Sequence, residues 1–171
     1  GRGDDGALGD GTERRLNTPT DVTGLSDGIA LGSSNNHTCS IRTGGFPVCW
    51  GKGNANGTGT GDAETPVAPT GLGAVSRIDA GGNFSCALDD VGQLWCWGTN
   101  TSGQLAVGST TTSRTPIRST FTTPLAELST GQGHACAIGT DATLYCWGAN
   151  GLGQVGDGTT SDRREPVEVV P

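Results

Sequence analysis

Six cysteines are the residues in this chain whose type and spacing could carry chemistry. They form three pairs with ten positions between partners: Cys39 and Cys49, Cys86 and Cys96, and Cys136 and Cys146. Cysteines with regular spacing can form disulfides or bind a metal, and a thiolate can act as a nucleophile. The pattern disfavours zinc, because no Cys-x-x-Cys occurs and the chain has only two histidines.

Each cysteine pair flanks a predicted hairpin with its turn midway between the partners. Residues directly opposite each other in a non-hydrogen-bonded antiparallel pair lie about 4.5 Å apart at Cα, which a disulfide tolerates. The alternative is six free, buried thiols that pack as small apolar groups. All six cysteines follow one register and none is left over, so we predict three disulfides. Disulfides indicate an oxidising compartment and hence an extracellular or cell-surface protein.

The other residue types that could act in catalysis fit structural roles better. His37 and His134 each lie two residues before the first cysteine of a pair, where an imidazole could act as a base. Phe84 occupies the same position in the middle pair, so the position does not require imidazole. The acidic pairs 4–5 and 89–90 lie in predicted turns, where Asp accepts hydrogen bonds from nearby backbone. We therefore predict no enzymatic activity, no cofactor and no small-molecule substrate.

Four Asn-x-Ser/Thr sequons are candidate glycosylation sites: Asn36, Asn56, Asn83 and Asn100. Sequons also arise by chance in a chain this rich in Ser and Thr, and Asn100 occupies a position that recurs with the repeat described below. The stretch 109–123 is rich in Ser and Thr and would either carry O-linked sugar or form a bare loop.

The cysteines are positioned by an internal repeat. Cys-Trp-Gly occurs three times, beginning at Cys49, Cys96 and Cys146, with spacings of 47 and 50 residues. A Gly/Asn-rich loop, a Thr-rich stretch and a proline follow each copy. The identical phase of the tryptophans indicates that they pack in the core between repeats: Trp50, Trp97 and Trp147.

Each repeat contains four short predicted strands. In the second repeat, 74–80 is one strand, and 84–88 with 93–97 form a hairpin. The prolines in 66–69 suggest an outer edge strand. With 31 glycines, long helices would be costly. Four short strands in 40–50 residues are typical of a β-propeller blade, so the fold class is all-β with about three and a half blades.

The repeat phase predicts the domain organisation. Residues 1–24 align with 148–171 without a gap, so 1–30 would form the outer part of a blade and a connector. Blade repeats follow at 31–73, 74–123 and 124–171. Two copies of the chain would duplicate that half-blade instead of closing a ring. We therefore expect the chain to be part of a larger seven-bladed or polymeric propeller.

The repeat resembles a known family. Phe-Ser-Cys-Ala-Leu at 84–88, Gly-Gln-Leu-Trp-Cys-Trp-Gly at 92–98 and Gly-Asp-Gly-Thr at 156–159 are similar to the regulator of chromosome condensation repeat. The resemblance implies a propeller, usually of seven blades. That family includes a nuclear exchange factor for a small GTPase and protein inhibitors of β-lactamases. The acidic charge and paired cysteines of this chain instead suggest a secreted, disulfide-containing member.

Charge and hydropathy exclude other partners. The net charge is -7 and the basic residues are scattered, which disfavours nucleic acid. No apolar run approaches the ~18 residues that span a bilayer, so we predict no membrane insertion. We predict an extracellular interaction module that binds proteins or further copies of itself through its variable loops: 52–65, 99–114 and 149–164. The alternative is a structural subunit of a filament or array that assembles through open blade edges.

Overall fold

The computed structural model describes residues 1–170 and contains three antiparallel sheets of four strands, which we call blades one, two and three. Blade one contains β1 (Gly28–Ser33), β2 (His37–Arg42), β3 (Pro47–Gly51) and β4 (Ala63–Val67). Blade two contains β5 (Val75–Ala80), β6 (Phe84–Asp89), β7 (Leu94–Gly98) and β8 (Ser113–Arg118). Blade three contains β9 (Leu125–Thr130), β10 (His134–Gly139), β11 (Leu144–Gly148) and β12 (Arg163–Glu168).

Within each blade the strands lie side by side in chain order, and each strand is antiparallel to the next. This four-stranded meander is the blade of a propeller. The all-β fold class and the partial propeller predicted from the repeat are confirmed. The first sheet begins at Gly28, slightly ahead of the repeat boundary expected at residue 31.

The predicted bounds of the outer strand were wrong. In blade one the strand is Ala63–Val67, so it includes Pro66 but ends before Pro69. Its limits follow from pairing, because Ala63 lies opposite Gly51 and Val67 lies opposite Cys49 in β3. Pro66 has no N–H to contribute to a ladder, and the outer edge is where a strand tolerates that loss.

Residues 1–27 form one short 3-10 turn, Asp4–Gly6, and otherwise follow an irregular path. Residues 16–21, which align with β12, do not form a strand. No hairpin in the described chain lies beside them to provide pairing. Residues 1–11 instead pack on blade one, where the Gly11 N–H donates to the Glu64 carbonyl at 3.0 Å.

The hydrophobic core lies between the blades, because each blade is a single sheet. We call the face that meets the next blade along the chain the forward face, and the opposite face the backward face. The disulfide of blade one is on its forward face and packs on Ile78 and Trp97 of blade two. A second cluster joins the forward face of blade two to the backward face of blade three, where Trp147 lies. Each blade is therefore stabilised mainly by its neighbours.

Candidate functional site

The structure joins all six cysteines in the predicted pairs. The partners lie directly opposite each other in the central hairpin of each blade. Their Cα atoms are 4.0, 4.1 and 4.0 Å apart in blades one, two and three. These sulfurs are bonded to each other, so they supply neither a nucleophile nor a metal ligand.

Residues 1–170 contain no group of three or more His, Cys, Asp or Glu side chains arranged to hold a metal ion. The same residues contain no helix that is both long and apolar enough to cross a membrane. The features that remain are the joints between blades, a polar groove at the inner end of the blades and the long loops.

The tryptophans of the Cys-Trp-Gly motifs lock each blade to the loop that precedes it. Each indole N–H donates to a main-chain carbonyl of that loop, and the acceptors are Ala7 for Trp50 at 3.2 Å, Ala55 for Trp97 at 2.7 Å and Gln104 for Trp147 at 2.8 Å. The three indoles are buried. The tryptophans thus occupy the core positions predicted for them. Each also makes the same hydrogen bond, which connects a loop to the blade core.

A buried asparagine organises each loop from inside. The Asn100 amide donates to the carbonyls of Ser109 and Thr111, both at 3.0 Å, and its oxygen accepts the Leu105 N–H at 2.9 Å. Asn150 makes equivalent bonds in blade three, including one to the Ser161 carbonyl at 3.1 Å. These side chains hold the two arms of a loop together, so the backbone behind the loop tip is fixed.

The same burial contradicts two of the candidate glycosylation sites. Asn56 and Asn100 are fully buried, and their amide nitrogens already donate to loop carbonyls. A glycan on either nitrogen would remove these bonds and could not fit inside the loop. Asn83 is exposed and Asn36 is half-buried, so these two stay predictions.

His37 is buried at the joint between blades one and two. Its Nδ1 lies 2.8 Å from Ser34 Oγ and its Nε2 lies 2.8 Å from Ser85 Oγ. The Ser85 hydroxyl donates to the Ala55 carbonyl at 3.0 Å, so it accepts the Nε2–H of a neutral imidazole. In this tautomer Nδ1 is the acceptor and faces the Ser34 hydroxyl, so both ring nitrogens are occupied within the buried joint. His37 is therefore a bridge between blades.

We expect the stability of the chain to fall in mild acid because of His37. Burial lowers the pKa of His37 from 6.5 to about 4. Between these values the unfolded chain takes up a proton that the folded chain refuses, so stability present at pH 7 is lost as the pH falls to 4. The free energy of unfolding should drop by about 3 kcal/mol from this group, measured by urea titration across this range.

The matched variant for this measurement replaces His37 and Ser85 by Phe and Ala, which are the residues at the equivalent joint of blades two and three, Phe84 and Ala135. The pH dependence should weaken in this double variant and persist in His134→Phe. An unchanged pH slope in the double variant would show that His37 is not its source.

A shallow polar groove of about 280 Å³ lies at the inner ends of the three blades. It is lined by the turns between the first two strands of each blade, which include 33–35, 80–82 and 130–132. Asp79 lies beside it, but its carboxylate already accepts the N–H groups of Ala80 at 2.9 Å and Thr130 at 2.7 Å. The groove lining therefore consists of backbone and of glycine, alanine, hydroxyl and amide side chains, with no carboxylate or imidazole among them.

In each blade, the loop after the third strand has a backbone that is fixed close to the blade and a tip that is exposed. In blade three, Asp157 accepts the Thr159 N–H at 3.0 Å and its hydroxyl at 2.8 Å, and it pairs with Arg163. Burial alone would raise the pKa of Asp157, but the hydrogen bonds from Thr159 and Arg163 outweigh it and lower this pKa to about 2. The carboxylate is thus occupied by its own loop. The tips beyond these anchors are exposed and rich in hydroxyl groups.

The fold and its joints define this chain as part of a β-propeller with interlocked, disulfide-bonded blades. Residues 75–104 and 126–154 match one profile described as "Regulator of chromosome condensation (RCC1) repeat", and 91–138 and 141–171 match a second profile with that description. Together these matches cover more than half of the chain. The chain belongs to the RCC1 repeat family. No curated protein sequence matches it.

Solved structures agree on the fold. Human WBSCR16 is similar with a TM-score of 0.86 and 23% identity, and the match covers 100% of this chain and 47% of that one. Prp20p from Saccharomyces cerevisiae is similar with a TM-score of 0.83 and 18% identity, covering 100% and 45%. The ectodomain of the Physcomitrella patens receptor kinase CR4 is similar with a TM-score of 0.56 and 21% identity, covering 81% and 35%. The chain thus spans less than half the length of these proteins.

Proposed function

We propose that this chain is a non-enzymatic, extracellular propeller module that binds protein partners through the loop surface. We define this surface as the exposed tips of the loops that follow β3, β7 and β11. The observation that carries the proposal is the anchoring of these loops. A buried asparagine fixes the backbone of each loop behind its exposed tip, and in the loops after β3 and β7 an indole N–H from the next blade adds a second anchor. Variable tips on a rigid scaffold are a common arrangement for protein recognition.

Two observations support a protein partner outside the cell. Three disulfides in 171 residues suit an oxidising environment. The CR4 structure is the ectodomain of a receptor kinase, and the structure of Prp20p is described together with its binding to Gsp1p and histones. Those partners belong to those proteins. For this chain they support the class of function, which is protein binding by a propeller.

The test is a loop-tip substitution with a control at the opposite end of the blades. The chain is immobilised and screened against a panel of purified extracellular proteins, and affinity for each retained protein is measured by biolayer interferometry. Thr110 is exposed on the loop after β7, and Thr140 is exposed on the hairpin turn between β10 and β11. Thr110→Arg should weaken binding about tenfold or more, while Thr140→Arg should leave it unchanged. Equal effects from both substitutions, or no retained protein, would contradict the proposal.

A further inference from the structure

The loop after β3, residues 52–62, is held to blade two by a carbonyl that accepts hydrogen bonds from two side chains. We call this segment the first loop. The Ala55 carbonyl accepts the indole N–H of Trp97 at 2.7 Å and the hydroxyl of Ser85 at 3.0 Å. All three residues are completely buried. The side chains of blade two therefore attach the first loop at one point.

This attachment point is connected to an ionisable group. The Nε2–H of His37 donates to the Ser85 hydroxyl at 2.8 Å, and that hydroxyl in turn donates to the Ala55 carbonyl. The other ring nitrogen, Nδ1, accepts the Ser34 hydroxyl at 2.8 Å. His37 is 1% exposed, so the imidazole, the serine hydroxyl and the loop carbonyl form one buried chain of hydrogen bonds. A charge on the imidazole therefore acts where the first loop is attached.

The loop after β7, residues 99–112, provides a comparison within the same molecule, and we call it the second loop. Its Gln104 carbonyl accepts the indole N–H of Trp147 at 2.8 Å. The positions of the histidine and the serine are occupied at this joint by Phe84 and Ala135, whose side chains neither ionise nor form hydrogen bonds. The second loop thus has the same indole anchor without an ionisable group behind it.

No charged side chain within residues 1–170 pairs with the buried imidazole. β3 and the turn between β1 and β2 contain no charged residue. In the first loop Lys52 pairs with Asp5 at 3.4 Å. In β5 the Asp79 carboxylate accepts the N–H groups of Ala80 and Thr130. The other charged residues of the first loop, β2, β5 and β6 are likewise bound to other groups, namely Asp62 to Gly53, Arg42 to Asp27, Arg77 to Glu127 and Asp89 to Gln93. An imidazolium here would therefore be buried without a counter-ion.

A proton on Nδ1 can keep its hydrogen bonds but not its solvation. The Ser34 hydroxyl lies 3.2 Å from the His37 carbonyl, so it can donate there and accept the new Nδ1–H. What remains is the cost of a buried charge, which contact with water relieves. The first loop begins beside the ring, where the Lys52 N–H donates to the Asn36 carbonyl at 3.0 Å, and its last four residues are exposed. Such a loop opens at lower cost than the strands of either blade.

We infer that protonation of His37 releases the first loop from blade two, so that acid loosens this part of the loop surface and leaves the second loop in place. The inference rests on the proposed function, because it assigns a pH-dependent control to the surface that would bind partners. The pKa of His37 is about 4 in the closed form and 6.5 for a ring in water, so the open form binds more protons as the pH falls. The open population should therefore rise about twentyfold between pH 7 and pH 5.

The test is hydrogen exchange of the oxidised full chain, without any partner, measured by NMR between pH 7 and pH 5. The signals for the first loop are the indole N–H of Trp97 and the backbone N–H groups of Ala55 and Asn56, all of which are hydrogen-bonded. After correction for the intrinsic pH dependence of exchange, their opening should increase about twentyfold. The indole N–H of Trp147 and the backbone of the second loop should show no comparable increase.

The control variant combines His37→Phe with Ser85→Ala, which copies the joint between blades two and three and should remove the pH dependence at the first loop. No increase in the wild type, an equal increase at Trp97 and Trp147, or an increase that persists in the double variant would overturn the inference. If the double variant does not fold, the comparison of the two loops in the wild type decides alone. Because no partner is present, the result is independent of the binding experiment with Thr110→Arg, and the two proposals can fail separately.

Discussion

Reduction of the three disulfides should unfold this chain at room temperature. Each bond joins residues ten positions apart, and closing a loop of that size stabilises the folded state by about 2.5–3 kcal/mol. Together the three contribute about 8 kcal/mol, which is comparable to the whole stability of a typical domain. The Cys39–Cys49 and Cys86–Cys96 disulfides also lie in the layers between blades, so their loss loosens the packing on both sides of blade two.

The measurement is urea unfolding followed by tryptophan fluorescence, with and without a reducing agent, with the oxidation state checked by intact mass. Replacing one pair by alanines resolves the contributions. Loss of the Cys86–Cys96 pair, which is completely buried, should destabilise more than loss of the Cys136–Cys146 pair, which is near the open forward face. A fully reduced chain with the unfolding midpoint of the oxidised chain would rule out this role.

Trp97→Ala should be the most destabilising single substitution among the aromatic residues. The indole is completely buried against the Cys39–Cys49 layer, and its N–H donates to Ala55 at 2.7 Å. Truncating a buried tryptophan removes about 3–5 kcal/mol through lost burial and the cavity that remains. It also leaves the Ala55 carbonyl without its indole donor, so blades one and two separate more easily. Equilibrium unfolding in urea measures the loss.

Trp95 provides the matched control, because it has the same side chain two residues earlier on the same strand. It is only half-buried, and its N–H donates to Asp89 within its own blade. Trp95→Ala should cost less than half as much as Trp97→Ala, and Trp97→Phe should cost mainly the hydrogen bond, about 1 kcal/mol. Equal losses for the two alanine variants would mean that the joint between blades contributes no special stability.

The repeat made the covalent framework predictable. One ten-residue spacing, found three times in phase with Cys-Trp-Gly, is enough to place partners opposite each other once a hairpin is assumed. The inner strands were predicted nearly to the residue for the same reason. The outer strand was misplaced because its limits depend on where it pairs with β3, and the prolines near it carry no information about that register.

The burial of individual side chains, and their contacts with a neighbouring repeat, were harder to predict. Asn56 and Asn83 both stand in sequons, but only the folded loop decides that Asn56 is buried and Asn83 exposed. The partner of His37 is 48 residues away, in the next blade. The sequence does contain a signal for this contact: His37 is followed in the next blade by Ser85, and Phe84, at the equivalent position, is followed in the next blade by Ala135. Two joints are too few to reveal this pairing without coordinates.

The hydrogen bond from each of these tryptophans to the preceding loop has a consequence for how such proteins evolve. Each indole N–H is received by a main-chain carbonyl, and the residues that supply it here are Ala7, Ala55 and Gln104. Every amino acid has that carbonyl, so the hydrogen bond does not depend on which side chain the acceptor residue carries. Mutation can therefore diversify a loop from repeat to repeat, and whole repeats can be duplicated or exchanged, while the attachment between blades is inherited unaltered.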